Sequence, residues 1–370
     1  MQRLDNVWRS DAALITDGEN RPKMKNSLIL ITLLLTLTAA EQTAAAQAEL
    51  RPARIGFIDF YGYAGLDVDK VRAALPIHEG ETFPSLVALY AMRPQIEETV
   101  RRLTGRPATE VSIVSPGEDV WLIYIGLSGN SMKSFPYNPA PKGTARLPTT
   151  ALDIYRQVDA AFLRAMQRGV SGEDTSQGYS LSSDDAALRA KQLAMHEYAA
   201  QHEGEIRAVL RSSADNEQRQ IAAHLLGYAN QSEQQIADLV WASHDPDEGV
   251  RNNATRALSV LAHSNPEVAA RIPAAGFIEM LNSGKWTDRN KGGNLLVGLS
   301  QWRAPKLLAA LRAQALESLL EMARWRSPGH AYAARVLLGR IGGIEETRLQ
   351  KLAGDNDQVG VIIKAVRRKQ

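Results

Sequence analysis

The chain has 370 residues, of which 44% are hydrophobic and 23% charged, and a formal net charge of +2. That length exceeds one small core and suits two or three domains of about 100–200 residues each, and the composition is that of a globular chain rather than a disordered one. The near-neutral charge leaves no strong field to argue for nucleic acid, and the absence of cysteine excludes disulfides, thiolate metal sites, cysteine nucleophiles and a lipidated N-terminal cysteine.

Met24 and Lys25 precede an apolar run over 28–37, and small residues follow up to Ala46-Gln47-Ala48. A basic start, an apolar stretch of about ten residues and an A-x-A end form the pattern of a secretory signal peptide. The run is short of the roughly 20 residues that span a bilayer, and the alternative to cleavage is a retained membrane anchor. Residues 1–48 are therefore read as an upstream segment plus signal peptide, with Met24 as the true start and a mature chain beginning near Glu49. The product is expected to be periplasmic or secreted, with no integral membrane span after cleavage.

Residues 52–129 mix strand and helix signals. The run 54–61 reads as a strand, 67–75 as a short helix capped by Asp67, and 77–83 as a turn. A second helix is expected over 93–103, with Pro94 in its first turn and Gly105 just beyond its end. The runs 109–114 and 120–125 flank a Ser-Pro-Gly turn and read as a hairpin. Residues 130–149, with Pro136, Pro139, Pro141, Gly143 and Pro148, read as a linker, and 150–182 as a helix followed by a Ser/Gly-rich loop.

From 183 to 370 the pattern is helical and repeats itself. Gly227, Ser259, Gly298 and Gly339 fall in register at spacings of 32, 39 and 41 residues. The first three copies have a turn, then Arg219, Arg251 or Arg289, then small residues, then Leu and Val, and the fourth carries Arg335 after its alanines. Acidic residues in these turns are expected to cap the second helix of each pair and to pair with Arg219, Arg251 and Arg289. Alternating helices joined by short turns stack into a solenoid, each unit burying its apolar stripe on the next.

Two resemblances follow from these residues. Asp247, Val250, Arg251 and Ala254 match the Asp-x-x-Val-Arg-x-x-Ala pattern, so the C-terminal half resembles the short, PBS-lyase-type HEAT-repeat family. That resemblance implies a protein- or peptide-binding α-solenoid. The β-α-α-β-β order of 52–129, with Gly62 ending the first strand and the Ile77-x-x-Gly80-x-x-Phe83 turn, is similar to a POTRA domain. That resemblance implies strand addition at a sheet edge and a part in outer-membrane protein assembly or secretion. The other reading of this unit is a small α+β domain that packs on the solenoid.

No nucleophile elbow, HExxH, phosphate-cradling glycine loop or zinc or calcium spacing is present, so no catalytic residue, metal ligand or cofactor is assigned. His224 reads as a core histidine and the acidic turns as caps. Lys285-Trp286 and Arg324-Trp325-Arg326 fall in loops between first and second helices of successive repeats, with Trp302-Arg303 nearby. Tryptophan beside arginine at loop tips is the composition of binding hot spots. These seven residues form the candidate binding ridge; the competing reading is that each Trp covers the open end of its own repeat. The function expected is a non-enzymatic exported scaffold or adaptor for a protein or peptide. The runner-up is an accessory factor in envelope protein assembly, with an unrecognised enzyme last.

Overall fold

The computed structural model describes residues 52–114, 120–170 and 172–368. The signal-peptide reading of 1–48 lies outside the described residues, as does the turn 115–119. No helix among the described residues is long and apolar enough to cross a membrane.

An α+β unit comes first and an all-α part follows. Strand β1 (Ala53–Tyr61) leads through Asp67, which accepts the Lys70 N–H, into α1 (Val68–Ala73). Next come β2 (Thr82–Phe83) and α2 (Leu86–Tyr90), whose first turn is capped by Ser85. Helix α3 (Arg93–Thr104) has Pro94 in its first turn and ends on Gly105 in a left-handed conformation. Strands β3 (Glu110–Val114) and β4 (Val120–Gly126) close the unit. The expected order holds for the longer elements. The additions, β2 and α2, are two and five residues long, too short to carry a periodicity.

The sheet runs β2-β1-β4-β3, with β1 parallel to β4 and antiparallel pairings elsewhere. Both its faces are buried. Ile55, Ile58, Phe60, Val111, Ile113, Ile123 and Ile125 share a core with Val71, Leu89, Ile96 and Val100 of the unit's own helices. Tyr61, Val114, Leu122 and Tyr124 belong instead to the core of the helical part. This is why 121–125 is uninterruptedly apolar: a strand covered on both sides has no polar face to alternate with.

The helical part opens with α4 (Thr149–Gln167) and a two-stranded ribbon of β5 (Glu173–Asp174) and β6 (Leu181–Ser182). Helix α5 (Ala186–Gln201) follows, and then pairs of helices. These are α6 (Glu203–Ser212) with α7 (Asn216–Leu226), and α8 (Glu233–Ala242) with α9 (Glu248–Ser264). After the short α10 (Pro266–Arg271), α11 (Ala275–Met280) pairs with α12 (Trp286–Leu299). Next, α13 (Pro305–Met322) pairs with α14 (Pro328–Gly342), and α15 (Glu346–Ala353) with α16 (Val359–Arg368). The second helices α7, α9, α12, α14 and α16 pack on one another in chain order.

The arginines form a ladder between pairs. Arg219 Nε and Nη2 donate to Asp245 at 2.8 and 2.9 Å, and Arg251 does the same to Asp288 at 2.8 and 3.4 Å. Their Nη1 atoms return to turn carbonyls of their own pair, Ser213 and Ala214 in one case and Asp245 and Pro246 in the other. Arg289 departs from the expected turn acid. The next turn, 323–327, holds no carboxylate, and Arg289 faces Glu321 on α13 at 3.6 Å. Capping also varies: Asp215 and Asp247 cap α7 and α9, whereas α12 and α14 start on Lys285 and Ser327 with no side-chain cap.

The expected small residues let helices approach closely. A Cβ on Gly339 of α14 would lie 2.1 Å from the Leu349 side chain of α15. Gly339→Ala is expected to cost about 1–3 kcal/mol through overpacking, read by chemical denaturation. A stability unchanged within 0.5 kcal/mol or so would show that α15 yields freely.

Residues 130–149, expected as a linker, run as an extended strap along the turns between first and second helices. Lys133 N donates to Asn282 O (2.8 Å), Asn138 N to His244 O (2.7 Å) and Gly143 N to Ser212 O (2.7 Å). These carbonyls occupy equivalent turns of three successive helix pairs, met by every fifth strap residue. Phe135 stacks on His244 at a centroid distance of 4.8 Å, and Leu147 N donates to Gln218 Oε1. Proline and glycine keep the strap out of helix and sheet, and its remaining amides are free to bind these turns.

Candidate functional site

The residues singled out as a ridge divide into two groups. Trp286 and Trp325 are 0% and 1% exposed, so they do not form an exposed ridge. Neither do they merely cover their own helix pairs, because the α+β unit sits on them. Tyr124 of β4 stacks on Trp286 at 5.2 Å and meets Trp325 edge-on at 5.0 Å. Tyr61 of β1 meets Trp325 edge-on at 6.3 Å, and His330 lies edge-on to Trp286. The Trp325 indole N–H donates to Phe60 O at 3.0 Å, and the Tyr124 hydroxyl shares a 2.5 Å hydrogen bond with His330 Nδ1. A buried aromatic box therefore joins the two parts; the tips of Trp325, Tyr124 and His330 are hydrogen-bonded, whereas the buried Trp286 indole N–H is not.

Charged residues ring this box. Arg326 binds Asp59 through its backbone N–H (2.8 Å) and Nε (3.1 Å), reaches Glu79, and donates to Ile58 O. Its guanidinium thereby also caps the open side of β1. Arg324 turns back to Leu320 O of its own helix. Lys285 Nζ and the Trp286 N–H both donate to Glu110 of β3, at 3.2 and 2.8 Å, and the Tyr61 hydroxyl reaches the same carboxylate at 3.1 Å.

Glu321 lies beneath the box. Its carboxylate accepts three successive backbone amides, Gly62 (2.7 Å), Tyr63 (2.8 Å) and Ala64 (2.8 Å), and the Ser131 hydroxyl (2.6 Å). Successive N–H groups around a left-handed residue make an anion-holding nest, and Gly62 has φ of 72°. A Cβ there would lie 2.3 Å from Leu127 O, so the turn requires glycine. Burial, the largest influence, lifts the Glu321 carboxyl above its ordinary value, against the lowering by Arg289, Ser131 and the nest. Arg289 is 0% exposed, lies over the Tyr61 ring at 4.9 Å and donates through Nε to Ser283 O.

Trp302 and Arg303 stand apart, in the connection between α12 and α13. Trp302 is 65% exposed. Arg303 takes φ of 52°, and its Nη2 is held by Ile344 O (2.6 Å) and Glu346 Oε2 (2.7 Å). A non-glycine residue in this region costs of order 1–3 kcal/mol unless its surroundings fix it, and here two acceptors do.

The chain matches no protein-family model and no curated protein. Among solved structures it is similar to an engineered protein from the Northeast Structural Genomics Consortium, at 14% identity and a TM-score of 0.35, covering 57% of this chain and 97% of that one. A superposition that loose carries no argument.

Reading by residue pattern missed Tyr61, Tyr124, Glu110 and Glu321, which complete the junction. The tyrosines occur within apolar strands, where polar tips were the available signal. Glu321 had none, being an ordinary acid in a helix. Among the described residues no group of three or more His, Asp or Glu side chains is placed to hold a metal ion.

Proposed function

We propose that the protein is an exported, non-catalytic scaffold whose helical part is a HEAT-like solenoid that binds a protein or peptide partner. The observation that supports this reading is the strap. Carbonyls of three successive turns, Ser212, His244 and Asn282, already hold an extended stretch of chain by evenly spaced backbone hydrogen bonds. Such turns suit extended peptide, and here they hold the chain's own. Partner binding then falls to surface the strap and the α+β unit leave open, and Trp302 with Arg303 is the part of the candidate ridge that lies there.

The test is a photo-crosslinking residue at position 302 in the native cell envelope, alongside Trp302→Ala. The substitution is expected to change stability by less than about 0.5 kcal/mol and to abolish capture of the protein crosslinked at 302. Capture that survives the substitution sinks the proposal for this site.

A second reading, as an accessory factor in envelope or outer-membrane protein assembly, is favoured by the position of β3 at the sheet's outer edge. In that case crosslinks fall at Arg106, beside the start of β3, rather than at 302. Removing 52–129 does not separate the two readings, because it would strip Trp286 and Trp325 bare.

A further inference from the structure

The last helix pair turns a surface of one sign outward. The exposed residues of α16 are Gly360, Val361, Lys364, Arg367 and Arg368, which recur at helical spacing and so share one face. Val361 is 37% exposed there, while Ile362 and Val366 on the opposite face are buried in the helical core. No acidic residue occurs in α16. Arg348 and Lys351 of α15 are exposed as well. Arg312 of α13 comes in beside the last turn of α16, donating through Nη2 to Val366 O at 3.3 Å. Six cations thus gather at one end of a chain whose net charge is only +2.

The acids of this pair do not cancel them. Glu346 is held by Arg303 and Arg340, and the Glu345 carboxylate accepts the Thr347 and Arg348 amides. Asp355 and Asp357 lie in the turn before α16, about 15 Å along the helix from Arg368. The helix dipole accounts for Arg367 and Arg368 in the last turn of α16. It does not account for Lys364, or for Arg348 in the first turn of α15, where it disfavours a cation.

We propose that this end seats the protein on an anionic lipid surface, with α16 lying along the headgroups, its cations and those of α15 and α13 over the phosphates, and Val361 towards the acyl boundary. Charge complementarity decides the occupant. Lysine and arginine on long stems follow mobile headgroups without a fixed geometry and lay their stems along apolar surface. An acidic protein segment carries the same charge but is held best in a groove, and these side chains stand on the outer side of one helix and its flanks. None of them belongs to the Trp302 contact, so lipid binding and partner capture fail independently.

The test is flotation of the protein, as recovered from the cell envelope, with vesicles of about one-third phosphatidylglycerol in phosphatidylcholine and, separately, of phosphatidylcholine alone, reading the ratio of the two affinities. Each cation near an anionic leaflet strengthens binding about fivefold, so the wild type should favour the anionic vesicles by more than about 100-fold at low salt. Most of that preference should vanish in about 1 M salt, where the screening length is about 3 Å. Lys364→Gln with Arg367→Gln and Arg368→Gln should cut it by about 100-fold, and Arg348→Gln with Lys351→Gln, which serves if the first variant folds poorly, by about 25-fold. Lys70→Gln with Arg101→Gln and Arg102→Gln makes the same charge change on exposed positions of the α+β unit and should keep the preference. Equal binding to both vesicles, or a preference that survives in the α16 variant, overturns the proposal. So does an oligo-glutamate peptide that binds the wild type and not the α16 variant while the vesicles bind neither, which assigns this end to an acidic protein segment.

Discussion

Glu321→Ala is expected to destabilise the protein by about 3–5 kcal/mol, the cost of stripping one partner from a buried ion pair. The substitution leaves Arg289 as a fully buried cation with its opposing charge gone, strips the Gly62 and Tyr63 amides and the Ser131 hydroxyl of their acceptor, and leaves the Ala64 amide only its longer bond to Ser131 Oγ. Each buried donor left unmade costs about 1–3 kcal/mol in isolation, so relaxation or entering water must recover part of the sum. Glu321→Gln keeps the shape and one acceptor but loses the charge and the second acceptor, so it should fall between alanine and wild type. Urea titrations followed by tryptophan fluorescence report this directly, since Trp286 and Trp325 lie in the same junction. A loss below about 1 kcal/mol for alanine would mean that the nest closes on its own and that Glu321 is incidental to docking.

Trp325→Ala should cost about 3–5 kcal/mol, the usual range for emptying a buried tryptophan site. Its side chain is covered by Tyr61 and Tyr124 of the α+β unit and its indole N–H satisfies the Phe60 carbonyl, which would be left without that donor. The loss should therefore fall at the junction and not only within α13 and α14. Limited proteolysis should show faster cleavage in the strap at 130–149, because the unit the strap tethers is then held less firmly. If stability falls but the strap stays as resistant as in the wild type, the tryptophan serves only the helical core. A consequence for binding experiments is direct: lost capture with Trp286 or Trp325 variants reports lost structure, whereas Trp302 can report a lost contact.

Most of the α+β unit was legible residue by residue. Asp67, Pro94 and Gly105 act through hydrogen bonds and dihedral limits within one turn, so their neighbours alone decide what they do. The Arg219 and Arg251 ladder was legible for a related reason, since each arginine meets an acid in the adjacent pair, at separations of 26 and 37 residues. The strap was half legible: its prolines and glycine excluded helix, but nothing in them named the turns they would lie against.

The junction was legible only as an alternative, an α+β domain packed on the helical part, and in none of its residue pairs. The amide of Gly62 and the carboxylate of Glu321 are 259 positions apart, and the Trp325 indole and Phe60 carbonyl 265. No spacing rule links such pairs, because what brings them together is how far the strap carries the chain back along the helical part and which sheet face remains apolar. The residues by themselves determined the element types, the helix-pair pattern, the ladder arginines and the presence of tryptophan and arginine in the turns. Only the tertiary structure decided that those turns face the chain's own sheet and strap: a tryptophan at a turn can cover a neighbour or meet a partner equally well, and burial, which separates the two, depends on the whole fold.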